Sequence, residues 1–127
     1  MTEFDSIREA WSRETSFWPD RWSPEQPETG QCAVTALAVQ AKVGGDIWRG
    51  SAGYELHYWN RAGGQTIDLT LAQFEPGTQV KRDVPVHRDV LLRDEDTARR
   101  YALLCSHMTT AALTTGEATA PNAGERG

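Results

Sequence analysis

Thr29-Gly30-Gln31-Cys32-Ala33-Val34-Thr35-Ala36-Leu37-Ala38-Val39-Gln40 sets one cysteine between a proline-rich approach and a nearly all-apolar stretch closed by Gly44-Gly45. The pattern predicts a helix over residues 32–43 with almost no polar face, so it should be buried on most sides. The paired glycines suit the left-handed turn that ends such a helix. A thiol on the first helical turn meets unpaired backbone N–H groups and the positive end of the macrodipole, and both favour a thiolate. A working thiolate needs a base, a group that orients the base, and cover from water.

Upstream, Phe4, Ile7 and Trp11 fall at helical spacing and predict an amphipathic helix over residues 2–15. Pro19, Pro24 and Pro27 then rule out a continuing helix from residue 16 to residue 30. Phe17, Trp18 and Trp22 lie in that segment, and so many aromatics should pin it to the body as one wall of a cleft beside Cys32.

Downstream, strands are expected over 46–50 and 54–60, with a turn over 61–64 and a return strand over 65–69. A brief helical turn follows at 70–74, stopped by Pro76-Gly77. Residues 80–86 read as an edge strand because Pro85 cannot donate to a ladder. Asp94-Glu95-Asp96 opens a last helix whose apolar stripe is Ala98, Tyr101, Leu104, Cys105 and Met108. These elements describe an α+β domain over 1–113, its Cys32 helix packed on a small antiparallel sheet. Residues 114–127 have no large apolar side chain and are expected to be a disordered tail.

A chain of 127 residues has enough surface to bury for one core and not for two. Its formal net charge is −5, and nothing basic is denser than Lys81-Arg82 or Arg99-Arg100, which argues against nucleic acid as a partner. No apolar run approaches the roughly 18 residues of a membrane span, so no membrane association is expected. The acidic first residues lack a signal-peptide pattern, and a cytoplasmic location follows as the expectation. In that reducing compartment Cys32 and Cys105 should be two free thiols.

The hairpin joins the remaining pieces. With the turn over 61–64, Asn60 faces Gln65 and His57 faces Asp68. Opposed residues on one face have Cβ atoms about 4.5–5.5 Å apart, close enough for a carboxylate to accept an imidazole N–H. Alternation puts Glu55, His57 and Trp59 on one face and Tyr54, Leu56, Tyr58 and Asn60 on the other. A Cys32 helix packed on the first face brings thiol to imidazole. Cys32 is then the nucleophile, His57 the base and Asp68 its orienting carboxylate. Gln31 and the Cys32 backbone N–H are the expected donors to an oxyanion. Trp18, Trp22 and Trp59 are the expected substrate-binding aromatics, and Asn60 is left to stabilise the turn.

Each residue alone has a plainer reading: a buried structural thiol, a core histidine, a capping carboxylate. The shared register is what groups them. Cys32, His57 and Asp68 can also be drawn as zinc ligands, but no Cys-x-x-Cys or His-x-x-x-His spacing supports a metal, and none is expected. No glycine-rich loop precedes a helix in the way a phosphate-binding cofactor would need, so no cofactor is expected either.

Gly30-Gln31-Cys32-Ala33-Val34-Thr35-Ala36-Leu37, His57-Tyr58-Trp59-Asn60, and Ile67-Asp68-Leu69-Thr70 followed by Gln73-Phe74 resemble the YunG-like family of small bacterial proteins. The resemblance covers roughly residues 18–75, and the segment after Val80 carries no motif of it. More distantly, the order of Cys on a helix, then His and Asp on strands, looks like the minimal core of papain-like and transglutaminase-like cysteine enzymes. That likeness implies a papain-like core. The expected activity is thiol-dependent hydrolysis or acyl transfer at an amide, ester or thioester. A small molecule, a short peptide or a carrier-bound acyl group is the substrate a chain this short has room for. The other class is a non-catalytic binding module, or an accessory protein of a biosynthetic pathway, that uses the Trp-lined cleft. It differs in having no need of an activated thiol.

Overall fold

The computed structural model describes residues 3–114. Helix α1 is Asp5–Ala10, shorter than the apolar stripe predicts. Trp11 turns extended, and Ser12 starts a separate 3₁₀ turn, Arg13–Thr15. There the Ser12 hydroxyl accepts the Thr15 N–H, while the Thr15 hydroxyl accepts the Ser12 N–H. This reciprocal cap supplies local partners that compete with the continuing helix, which is why a periodic pattern alone overruns it.

Helix α2, Cys32–Val43, is the centre of the fold, and every residue from Val34 to Val39 is buried. One flank, Val34, Ala38 and Val39, packs with Ile7 and Ala10 of α1 and with Leu104 of α4, Glu95–Thr114. The other flank, Ala36 and Leu37, packs with Ile47 of β1, Asp46–Ala52, and with Leu91 of α3, Arg88–Leu92. Helix α2 is thus covered on both flanks, and its one buried polar side chain, Thr35, accepts from Trp11 Nε1 at 2.9 Å.

Strands β1, β2 (Glu55–Ala62), β3 (Gln65–Ile67) and β4 (Val80–Val86) form an antiparallel sheet in the order β3-β2-β1-β4. The chain is therefore α+β with a small antiparallel sheet. The β2–β3 turn is Gly63-Gly64, with φ of 60° and 79°. Two successive positive φ values give the mirror-image turn whose twist matches a hairpin, and only glycine adopts both without strain. Ala62 thus faces Gln65, Arg61 faces Thr66 and Asn60 faces Ile67. The register expected from a turn over 61–64 is displaced by two residues.

The face expected to receive α2 is also corrected. Helix α2 lies on the face of Tyr58 and Asn60, opposite to that of His57 and Trp59. Asn60 is 2% exposed, and its Nδ2 donates to the Ala36 carbonyl at 3.0 Å. Ile47, directly across from Asn60, packs against α2, as do Tyr58 and, in the other cluster, Ile67 and Leu69. These aliphatic residues make that face the one with most apolar area to remove from water. Asn60 is accordingly a bolt between sheet and helix, and not a turn residue.

No helix among the described residues is long and apolar enough to cross a membrane. The tail expected over 114–127 lies outside the described residues, apart from Thr114 at the end of α4.

Candidate active site

His57 is fully buried, and its Nε2 lies 2.7 Å from Asp68 Oδ2. The other carboxylate oxygen of Asp68 accepts the Thr70 N–H at 3.3 Å. Carried one pair beyond β3, the observed register sets Asp68 opposite Trp59 and diagonal to His57. A displacement by two preserves the face of every side chain, so the carboxylate still meets the imidazole although the pairing is not the expected one. Trp59 stacks on the imidazole at 5.7 Å, and Phe74 meets it edge-on at 5.0 Å. Two aromatic rings thus enclose the histidine.

Nδ1 of His57 is buried and has no nitrogen or oxygen partner, which leaves the Cys32 thiol as the group it can bond. Burial by itself lowers the imidazole pKa. The hydrogen bond to Asp68, then hydrogen bonding to and the charge of Cys32, then the charge of Asp68, outweigh burial and raise it to about 9. With Nε2 committed to Asp68, Nδ1 is the nitrogen left for the thiol.

Cys32 acts on a second neighbour as well. Burial raises the pKa of Tyr58, the Cys32 charge raises it further, and Arg49 opposes both. Tyr58 and His57 point to opposite faces of β2, and β3 pairs only with Asn60 to Ala62, so the first half of β2 has no strand on that side. Helix α2 packs on the Tyr58 face and not on the His57 face predicted from alternation, and Cys32 lines one cleft with Leu56 and Tyr58.

A buried polar chain fixes that N-terminus. Gln31 is fully buried; its Oε1 accepts from the Thr15 hydroxyl at 2.8 Å, and its Nε2 donates to the Ser12 carbonyl at 2.9 Å. The Thr15 carbonyl accepts from Arg100 Nη1 at 3.1 Å, and Arg100 Nε bonds Asp96 at 2.8 Å. Gln31 is therefore held by the 3₁₀ turn and does not line the cleft, which corrects its expected place as an oxyanion donor. Gly30 has a φ of 71°, and a Cβ there runs into Ser16 and the backbone of Phe17 and Trp18. The chain can pass close under the aromatic loop only because residue 30 has no side chain.

The cleft in front of Cys32 encloses about 450 Å³, and Phe17, Trp18, Leu56, Tyr58, Gln73 and Phe74 are among its walls. Trp18 is where the sequence places it. Trp22 is not: its Nε1 donates to the Pro27 carbonyl at 3.0 Å, stapling the loop to itself, and Arg13 covers its ring. Trp59 also stays out of the cleft, beneath the imidazole. Both cysteines are free. Among the described residues, no three His, Cys, Asp or Glu side chains gather as metal ligands.

Residues 4–113 match the family described as YunG protein. The chain belongs to the YunG family. A relative in Bacillus subtilis (strain 168), named uncharacterized protein YunG, is 32% identical over 88 residues, which cover 69% of this chain and 73% of the relative. No solved structure matches the chain. The YunG match runs from α1 into the last turn of α4, so the segment after Val80, which had no recognised motif, is part of the family domain.

Thr70, Gln73 and Phe74 line the cleft or contact the His57–Asp68 pair, yet sequence reasoning gave them no role. The available signal was polar Thr70 and Gln73 in a short turn directly after Asp68. Of the four buried side-chain polar atoms without a partner among the described residues, three belong to His57, Thr70 and Gln73. Orphaned buried polar groups are rare in folded proteins, and here one belongs to the base paired with Asp68 and two to the short segment that follows Asp68.

Proposed function

We propose that Cys32, His57 and Asp68 form a papain-like nucleophilic centre for acyl chemistry. The supporting observation is the enclosed imidazole of His57, with Nε2 on Asp68 and Nδ1 left for the thiol of Cys32. A base within reach of a nucleophile, and itself oriented by a third group, is the geometry this chemistry needs.

In the proposed reaction the Cys32 proton resides on His57, and the thiolate attacks an acyl carbonyl carbon. A C–S bond forms while the carbonyl π pair moves onto oxygen. Collapse of this adduct expels the leaving group, which takes its proton from the imidazolium. Water, or another acceptor nucleophile, then gives a proton to His57 and attacks the thioester. The thiolate departs with the C–S electron pair. Asp68 keeps the imidazole in one orientation and stabilises its charged form.

The cleft favours an apolar acyl group of modest size. Six large hydrophobic residues are exposed among the described ones, and four of them, Phe17, Tyr54, Leu56 and Val90, line this cleft. Exposed apolar side chains gathered in a concave site are a usual mark of ligand binding.

The test is reaction with activated esters and thioesters of short apolar acids, followed by intact mass and peptide mapping. An acyl adduct on Cys32 is expected, with turnover lost on the order of 10³-fold or more in Cys32→Ala while the fold is retained. If no adduct forms and Cys32 alkylates no faster than a free cysteine, the chemistry is refuted. The cleft then belongs to a binding module.

A further inference from the structure

We propose that Gln73 is a catalytic residue of this centre, whose Nε2 donates to the oxyanion formed when Cys32 attacks an acyl carbonyl. The role rests on the acyl chemistry proposed above. Gln73 ends the 3₁₀ turn Leu71–Gln73, five residues beyond Asp68, and lines the same cleft as Cys32, Gly30 and Phe74. Its Oε1 accepts the Gly30 N–H at 3.0 Å. That bond settles which end of the amide is which, since only oxygen can accept from a backbone N–H. It also ties the side chain to a residue two positions before Cys32.

Nε2 is left buried with no hydrogen-bond partner. A primary amide has two N–H donors, and leaving both unpaired away from water is unfavourable unless something else compensates them. Gln31 provides the contrast. Both its oxygen and its nitrogen are bonded to the fold, whereas the Gln73 donor has no task within the protein. A fixed, unsatisfied donor in the same cleft as a nucleophile has the preorganisation that stabilises a developing negative charge. Catalytic hydrogen bonds commonly tighten only when substrate is bound, so an unmet donor in the free protein is the expected state.

Attack on the carbonyl forms a C–S bond and moves the π electrons to oxygen, where Nε2 donates. Alkylation of the same thiol by iodoacetamide forms a C–S bond and expels iodide, with no oxyanion at any stage. The two reactions share the nucleophile and differ in the charge that Gln73 meets.

The experiment compares both rates, for a p-nitrophenyl ester of a short apolar acid and for iodoacetamide, in the full-length chain carrying Cys105→Ser. Gln73→Glu keeps an acceptor for the Gly30 N–H and removes the donor. Gln73→Met removes the donor without adding charge. In both variants the ratio of acylation to alkylation should fall on the order of 10²-fold, with alkylation still site-specific and circular dichroism unchanged. A ratio equal to wild type in either folded variant overturns the role of Gln73 and leaves the nucleophilic centre intact. Absence of acylation in the parent protein, with alkylation normal, overturns the centre itself and the oxyanion role with it.

Discussion

Replacing Asp68 with Asn tests the electrostatics of the site without changing its shape. His57 titrates at 6.5 when unperturbed and at about 9 in the folded chain. At about 1.4 kcal/mol per pH unit, this difference makes the protonated imidazole worth about 3 kcal/mol to folding. Because the folded pKa lies above the unfolded one, that contribution is complete below pH 6.5, declines across the interval and is gone above about 9. His57 has no exposed surface, so solvent does not screen the interaction away. In Asp68→Asn, burial remains and the strongest interaction opposing it is lost, which drives the imidazole toward its neutral form. Urea denaturation across this pH range should show wild type losing most of that 3 kcal/mol while Asp68→Asn stays nearly flat. An NMR titration of the His57 ring gives an independent midpoint. A wild-type midpoint at or below 6.5, or parallel stability curves, would refute the view that Asp68 and Cys32 overcome burial.

Two further variants separate fold from chemistry. Asn60→Ala removes the bond to the Ala36 carbonyl between β2 and α2. It should lower stability by about 1–3 kcal/mol in denaturant titration, while Cys32 alkylation in the folded protein stays at the wild-type rate. Gln31→Met removes the buried amide that bonds the Ser12 carbonyl and the Thr15 hydroxyl. Stability should fall by about 1–3 kcal/mol, whereas the acylation-to-alkylation ratio, sensitive at Gln73, should not change.

Several features were legible in the chain before any packing was known. The nearly all-apolar run behind Cys32, broken only by Thr35 before Gln40, pointed to a helix buried on two sides, since it has no polar stripe along which water could lie. The glycines after Arg61 dictated a hairpin. The count of residues between His57 and Asp68 put both on one face, and that parity survived a register displaced by two, because side-chain direction repeats every second residue. The contact between His57 and Asp68 was therefore recoverable from local periodicity and turn chemistry.

Tertiary structure decided the rest. Which face of the sheet meets α2 depends on Ile47, Ile67 and Leu69, apolar residues on separate strands and loops whose combined area no single period reports. That choice set the helix carrying Cys32 on the Tyr58 face. The two glutamines are equally polar as sequence, and the one beside Cys32 was the natural choice for a donor. Folding brings Ser12 and Thr15 onto Gln31 and the Gly30 N–H onto Gln73, so one amide is consumed by the fold and the other keeps a free donor at the cleft. Hydrogen-bond satisfaction is a property of neighbours in space, and spacing along the chain does not encode it.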